Sequence, residues 1–241
     1  MYTTRRILSL LPFLLFVTLV FTQNAEPVLG SWNILHLRGS VAPKWSVFFE
    51  GQIRSLGYYR QFHYFEAKGG VSYSPLSHLT FVTGGGSYNT YQEGGSFVQP
   101  AVSREIRTWQ EATVRQSLWK GQFEQRFRTE QRFTNNGYRN RFRARTAVQV
   151  PVVLRSLPEA KPFFLVWNEL FFTNNEPYFE RNRFYAGIGH RWEMVTLQLG
   201  YVHQFDYRIV DETGRDFALV SVVIDLKKND NRRPHLPLQE D

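Results

Sequence analysis

Two neighbouring stretches of the sequence carry a charged side chain at nearly every second position, and these residues point most directly to chemistry. Residues 122 to 133 alternate phenylalanine, threonine and glutamine with arginine and glutamate, and residues 138 to 150 continue the alternation after a turn. The charged residues of the two rows are Glu124, Arg126, Arg128, Glu130, Arg132, Arg139, Arg141, Arg143 and Arg145. Guanidinium and carboxylate groups at this spacing form ion pairs between adjacent strands.

Such a row of charges has two interpretations. It can fill and close the interior of a protein, or it can line a constriction that prefers a small anionic solute. In either case several guanidinium groups in a narrow space would repel one another without counter-charges. We expect Glu105, Glu111 and Glu169 to supply some of them from other strands.

Motifs for catalysis or metal binding are weak. The histidines are His36, His63, His78, His190, His203 and His235. None has a serine two positions away, a spacing that would suit a membrane-embedded serine hydrolase, and the nearest case is His36 with Ser40. No two histidines lie within five positions and no glycine-rich phosphate loop opens a helix. We therefore expect no catalytic residue, no metal and no cofactor.

The composition narrows the class of protein further. The 241 residues are 42% hydrophobic and 16% aromatic, which is too hydrophobic for a disordered chain. The absence of cysteine excludes a disulfide scaffold, a thiolate metal site, a cysteine nucleophile and a lipoprotein anchor. The formal net charge is +8, and most of the cations are arginine, the residue best suited to paired or partly buried charge.

Residues 1–25 have the pattern of an export signal peptide. Arg5 and Arg6 precede an apolar run from Ile7 to Phe21, and small or polar residues follow. The run contains Pro12 and is shorter than the roughly 20 residues of a membrane-spanning helix. Because an exported protein does not meet nucleic acid, we expect no nucleic-acid partner, although arginine interleaved with phenylalanine would otherwise suit one.

The rest of the chain has the period-two pattern of strands. Eleven segments alternate clearly. They lie at 30–41, 44–56, 61–73, 77–89, 104–119, 122–133, 138–150, 162–173, 183–192, 195–207 and 215–227. Many are longer than the usual soluble strand of about 5 to 6 residues, and ten residues tilted by about 40° cover roughly the 25 Å apolar band of an outer-membrane barrel.

We therefore predict an all-β fold, an antiparallel up-and-down transmembrane β-barrel over residues 26–227, followed by a polar tail at 228–241. Bacterial barrels of this kind have even strand numbers, so eleven segments imply that one is missed or one is false. A segment at Phe97 to Val102 would make twelve strands, and placing 30–41 outside the barrel would leave ten. We predict about twelve.

Connection lengths and aromatic residues suggest two membrane interfaces. Connections near residues 42–43, 74–77, 120–121 and 193 are short, whereas those at 55–60, 89–103, 174–182 and 208–214 are long, and 151–161 is a long exception. Outer-membrane barrels have short periplasmic turns and longer external loops. The predicted aromatic girdles comprise Trp45, Trp119 and Trp192 beside short turns, and Tyr58, Tyr59, Tyr91, Tyr178 and Tyr207 beside long loops.

Alternation alone does not say which face of the strands is inside. In a membrane barrel the arginines must face inward, because each would cost about 2–4 kcal/mol facing lipid near the midplane. In a soluble lipocalin-like barrel they would face water, and the phenylalanines would surround an apolar ligand.

Five stretches of the chain resemble the domain of unknown function family 2490, outer-membrane β-barrel proteins of Gram-negative bacteria. The stretches are "EIRTWQEATVRQ" at 105–116, "QRFRTEQRF" at 125–133, "RNRFRAR" at 139–145, "WNELFF" at 167–172 and "ERNRFYAGIGHRW" at 180–192. The resemblance covers nearly all of the chain after the signal peptide. It implies a location and an architecture but no activity and no catalytic residues.

The functional expectation is a barrel in the bacterial outer membrane, surrounded by its lipid, with an Arg/Glu-lined interior and a structural or narrow-channel role. One alternative is the soluble periplasmic barrel that binds an apolar ligand. The other is an outer-membrane lipid acyl hydrolase, which would need a serine and a histidine that meet only in three dimensions.

Overall fold

The computed structural model describes residues 28–153, 162–207 and 213–226, and their secondary structure is eleven β-strands. The strands are β1 (Leu29–Ala42), β2 (Trp45–Gly57), β3 (Arg60–Leu76), β4 (Leu79–Gln92), β5 (Val98–Leu118), β6 (Gly121–Thr134), β7 (Gly137–Pro151), β8 (Pro162–Thr173), β9 (Phe179–Arg191), β10 (Val195–Asp206) and β11 (Thr213–Asp225). The predicted signal peptide and the polar tail lie outside the described residues. Within those residues, no helix has the length and hydropathy needed to cross a bilayer.

The strands form one closed barrel in which each strand pairs with its neighbours in sequence. These pairs are antiparallel, and the barrel is closed by β1 and β11, which run parallel from Leu29 opposite Asp216 to Arg38 opposite Asp225. An odd number of alternating strands leaves the first and last running in the same direction, so the closing pair has to be parallel. The predicted all-β barrel is confirmed.

The described residues contain one strand fewer than the twelve we predicted. The candidate twelfth strand, Phe97 to Val102, is the first part of β5, which begins at Val98 and runs for 21 residues. Pro100 follows a cis peptide bond in this part of the strand, where the β4–β5 pairing shifts register between Thr90 and Gln92. The extra length also shortens the predicted long connection at 89–103 to residues 93–97.

The two ends of the barrel differ in their aromatic residues. One end, here called the Trp end, carries the connections at 43–44, 77–78, 119–120 and 192–194, the end of β7 and the start of β8. The opposite end, here called the Tyr end, carries those at 58–59, 93–97, 135–136 and 174–178, the end of β10 and the start of β11. The predicted long connection at 55–60 is a two-residue turn, Tyr58-Tyr59, with Tyr59 at a φ of 52°. The contrast in loop length is therefore smaller than predicted.

The interior is filled by side chains of two kinds. Charged residues occupy much of it, and the rest holds an apolar cluster contributed by β7 to β11 and β1. The cluster consists of Trp32, Ile34, Ala147, Phe163, Leu165, Trp167, Tyr185, Val202, Phe217 and Leu219. A second, smaller apolar group of Phe48, Val82 and Trp109 lies inside β2, β4 and β5.

Glycine makes room for this second group. A Cβ atom on Gly84 would lie 2.4 Å from Cζ2 of Trp109 and 2.7 Å from the carbonyl oxygen of Gly69. The absence of a side chain at Gly84 therefore lets the indole of Trp109, which is 1% exposed, approach the backbone of β4 closely. Gly86 lies on the same inner face, where a Cβ atom would be 2.5 Å from Cβ of Lys68, so both glycines serve interior packing.

Candidate functional site in the charged interior

The structure turns the two charged rows of β6 and β7 toward the barrel interior. Eight of the nine charged residues are between 1 and 6% exposed. The exception is Arg139, whose side chain is 38% exposed at the Tyr end. The intervening residues Phe127, Phe133 and Phe142 are exposed on the outer wall. Strand alternation explains this separation, because successive side chains point to opposite faces.

The register places arginines directly opposite one another. Arg126 pairs with Arg145, Arg128 with Arg143 and Arg132 with Arg139 across β6 and β7, and Arg107 of β5 pairs with Arg132. Like charges in this position destabilise a sheet unless a counter-charge lies between them. The chain supplies glutamates for this purpose.

Three glutamates each bridge one of these arginine pairs. Glu105 lies 2.8 Å from Arg107 and 2.7 Å from Arg132. Glu130 lies 2.8 Å from Arg143 and 3.8 Å from Arg128. Glu180 lies 3.4 Å from Arg132 and 3.5 Å from Arg139, and Arg141 approaches it to 2.5 Å. Each carboxylate therefore places a negative charge between two opposed arginines, and Glu130 and Glu180 each also lie near Arg141.

Glu111, Glu124 and Glu169 hold the fourth pair, Arg126 and Arg145. Glu169 is fully buried and accepts hydrogen bonds from Arg126 at 2.5 Å and from Arg143 at 2.8 and 3.0 Å. Glu124 accepts from Arg145 at 3.1 Å and also from Arg115 of β5 at 2.8 Å. Glu111 lies 2.7 Å from Arg128 and 3.6 Å from Arg126.

A second charged cluster lies on β1, β2 and β3. The ammonium group of Lys68 lies 2.7 Å from Glu50 and 2.8 Å from Glu66, and all three side chains are at most 2% exposed. His36 Nδ1 is 2.9 Å from the other carboxylate oxygen of Glu50. The charged part of the interior therefore extends well beyond the two predicted rows.

Aromatic rings join the charged and apolar parts of the interior. The guanidinium carbon of Arg54 lies 3.4 Å from the ring centroid of Trp32, and that of Arg183 lies 4.9 Å from the same ring. Arg143 and Arg183 lie 4.6 and 4.8 Å from the ring of Phe171. These are cation–π distances, so the arginines are stabilised by ring faces as well as by carboxylates.

Period-two alternation in the sequence indicates some of the additional charged residues of the interior, but not all of them. In β2, Glu50, Gln52 and Arg54 alternate with Phe49, Gly51 and Ile53 in the pattern that revealed β6. Glu180 is different, because it is the extra residue at a register shift in the β8–β9 pairing, between Arg181 opposite Phe171 and Phe179 opposite Phe172. Period two does not extend across such an irregularity.

The outer wall carries the aromatic residues predicted to form two girdles. Trp45, Trp119 and Trp192 are exposed at the Trp end, and Tyr58, Tyr59 and Tyr178 are exposed at the Tyr end. Tyr91 and Tyr207 lie at the Tyr end and are half-buried.

Polar side chains on the outer wall form hydrogen bonds with one another. Gln131 donates to Gln110 at 3.1 Å and accepts from Thr108 at 2.9 Å. Asn168 and Asn182 exchange two hydrogen bonds of 3.2 and 3.1 Å. Much of the hydrogen-bonding capacity of this wall is thus satisfied within the wall itself.

One outer-wall group contains a histidine paired with a carboxylate. His203 Nδ1 lies 2.7 Å from Asp216, whose same oxygen accepts a 2.5 Å hydrogen bond from the Tyr201 hydroxyl. A carboxylate that orients a histidine is one part of a hydrolase triad, and the other part is a hydroxyl nucleophile beside the second ring nitrogen. Ser40, the serine nearest in sequence to a histidine of its own strand face, lies on the inner face of β1 with His36, whereas His203 lies on the outer face of β10. In the parts of the chain that the structure describes, no cluster of three or more potential metal ligands occurs.

The fold and the site define this protein as a closed β-barrel whose interior holds ion pairs beside an apolar cluster and whose outer wall exposes many apolar side chains. The model of a family described as "Protein of unknown function (DUF2490)" matches residues 29–215, from the first residue of β1 into β11. The chain therefore belongs to this family, as the sequence motifs suggested. No significant match to a curated protein or to a solved structure was found.

Proposed function

We propose that this protein is a β-barrel of the bacterial outer membrane with a structural role and a filled, non-conducting interior. The observation that carries the proposal is the inverted distribution of side chains between the two faces of the barrel wall. Ion-paired arginine and glutamate are buried inside, while phenylalanine, valine, leucine and isoleucine are exposed outside. Water-soluble proteins have the opposite arrangement.

The apolar outer surface extends around the barrel. Each strand from β1 to β10 exposes at least one large apolar side chain on its outer face. Examples from well-separated strands are Leu35, Phe49, Phe81, Phe127 and Phe164. A soluble monomer rarely exposes so large an apolar surface, whereas lipid would cover it without cost.

The outer-wall hydrogen bonds also favour lipid. A polar side chain that faces hydrocarbon is costly unless it finds a partner, because lipid offers no hydrogen bonds. The Gln110–Gln131 and Asn168–Asn182 pairs supply such partners. The shortest strands have 12 residues, enough for the 9–11 residues of a tilted membrane strand.

The same distribution argues against the soluble lipocalin-like alternative. Such a barrel needs an apolar cavity for its ligand. Here the interior holds buried ion pairs and large rings, including the fully buried Trp32 and Tyr185. We also propose no catalytic role for the interior, because its carboxylates are held by guanidinium or ammonium groups.

Cell fractionation combined with gel mobility tests the proposed location. We expect a tagged protein in the outer-membrane fraction, released by detergent only, and a band whose mobility changes on boiling as the barrel unfolds. A periplasmic reporter with the same export signal is the control for lysis. Recovery of the tagged protein in the periplasm without detergent would contradict the proposal and favour the soluble barrel.

A further inference from the structure

Arg104 is an unusual residue on the outer wall of the barrel. It lies on the outer face of β5 and is exposed, whereas the neighbouring Glu105 and Arg107 of the same strand face inward. Among the described residues, Arg104 has neither a hydrogen bond nor an ion pair. Asp216, the carboxylate on the same wall, is by contrast engaged by His203 and Tyr201. Its guanidinium group is therefore available to an anion from outside the chain.

Arg104 lies in an open groove of about 520 Å³ at the Tyr end. The groove is lined by Ser87, Asn89, Tyr91, Arg104, Glu105, Ile106, Phe133, Thr134 and Asn135. It exists because the β4–β5 hairpin is longer than its neighbour on that side. The pairing of β5 with β6 ends at Glu105 opposite Thr134. The pairing of β4 with β5 continues to Thr90 opposite Ser103 and, after a register shift, to Gln92 opposite Val98.

The groove has a polar layer above an apolar layer. Arg104 is opposite Asn89 in the β4–β5 register, at the level of the β6–β7 turn that contains Asn135. Closer to the middle of the barrel, Ile106 is opposite Phe133, and both side chains are more than half exposed. The layers therefore follow the order of a lipid molecule at a membrane surface, with the headgroup above the acyl chains.

The carboxylate that lines the groove does not neutralise Arg104. Glu105 faces inward and is held by Arg107 at 2.8 Å and by Arg132 at 2.7 Å. The local charge available to a ligand at the outer face is therefore that of the Arg104 guanidinium. Asn89 and Tyr91 add further hydrogen-bonding groups to the same layer.

We propose that this groove binds the phosphate of an outer-membrane lipid headgroup, with Arg104 as the principal anion-binding residue and Ile106 and Phe133 contacting the acyl chains. The proposal rests on the proposed membrane location. Guanidinium groups bind phosphate through charge-assisted hydrogen bonds, which are about twice as strong as neutral ones. The level of Arg104, at the rim of the barrel among tyrosines, is where headgroup phosphates lie.

Native mass spectrometry of the folded, delipidated full-length protein in detergent tests the proposal. The probes are phosphatidic acid and a diacylglycerol with the same acyl chains, which lacks the phosphate. We expect phosphatidic acid to bind more tightly than diacylglycerol, and R104Q to weaken phosphatidic acid binding by about tenfold. R104K should retain part of the affinity. The matched control is R60Q, because Arg60 is an exposed arginine at the Tyr end outside the groove.

The outcomes separate specific binding from its alternatives. If wild type and R104Q bind phosphatidic acid with equal affinity, the proposal is overturned. It is also overturned if R60Q loses as much affinity as R104Q, because that would indicate general attraction to a basic rim. Displacement of the lipid by inorganic phosphate at equal affinity would also overturn it, since a free anion would then be the ligand. An unchanged heat-modifiable band in each variant establishes folding. A failed proposed function would appear instead in the cell fractionation, which does not depend on Arg104.

Discussion

At the scale of single residues, the stability of the interior depends on which charges remain paired. Burying an ion pair yields little net stability compared with apolar packing, but removing one partner leaves an uncompensated buried charge. Glu169 is the clearest example, because it is fully buried and receives hydrogen bonds from both Arg126 and Arg143. The single negative charge of Glu169 is therefore shared by two buried guanidinium groups.

Replacing Glu169 by glutamine should therefore destabilise the barrel strongly. Glutamine keeps the size of the side chain but removes the counter-charge of two buried arginines. We expect a loss of about 3–5 kcal/mol in the free energy of unfolding. It can be measured from the fraction of compact, unboiled band as urea increases.

The matched control is the same substitution at an exposed ion pair. Glu93 lies 3.1 Å from Arg215, and its side chain is 67% exposed. Because exposed pairs contribute about 0–1 kcal/mol, E93Q should leave the urea midpoint almost unchanged. Similar midpoints for E93Q and E169Q would contradict the idea that buried counter-charges hold the interior together.

At the scale of strands, period two predicted most of the architecture. All eleven alternating segments are strands, and their limits differ from the prediction by a few residues, apart from the longer start of β5. The alternation in β6 and β7 also predicted that the charged residues would share one face, and all of them except Arg139 are buried. This pattern is clear because one face of each strand carries mainly charged side chains and the other face carries uncharged ones.

The same argument explains what the sequence did not predict. In β8, Phe163, Leu165 and Trp167 face inward, while Phe164 and Val166 face outward. Both faces are apolar, so alternation carries no information, and the apolar part of the interior was missed. The strand count was missed for another reason, since a parallel closing pair arises from long-range contacts that no local pattern encodes.

Paired cysteines can test this closing pair directly. Asn33 of β1 is opposite Val220 of β11, and adjacent strands are about 4.8 Å apart, within the Cα range of a disulfide. The native chain has no cysteine to compete. We expect N33C combined with V220C to form a cross-link under mild oxidation, seen as a changed mobility on a non-reducing gel.

The control pair combines N33C with I224C. Ile224 is opposite Leu37 and lies about 13 Å further along β11 than Val220, so no disulfide should form. A twelfth strand between β1 and β11 would roughly double the spacing of Asn33 and Val220. Failure of the first pair to cross-link in a folded barrel would therefore argue for the twelve-stranded closure.

At the scale of the whole molecule, the central question is whether ions can pass through the filled barrel. Among the described residues, twelve buried arginine and lysine side chains accompany six buried glutamates, and further carboxylates lie partly exposed toward the ends. Any path through the interior would therefore favour anions. However, the same space contains large buried side chains such as Trp109, Trp167 and Phe171. Wide aqueous pores occur in barrels of about 16–18 strands.

We therefore expect no steady conductance when the folded protein is inserted into planar lipid bilayers. The physical reason is that ions would have to displace rings and paired charges that are packed against one another. A 16-stranded porin in the same bilayers is the positive control, and flotation of proteoliposomes establishes that the barrel has inserted. Reproducible current steps with chloride passing more readily than potassium would contradict the filled interior and support a narrow, anion-preferring channel. Current steps without an anion preference would contradict both the filled interior and the anion-preferring channel, because every path through this interior passes its excess of arginines.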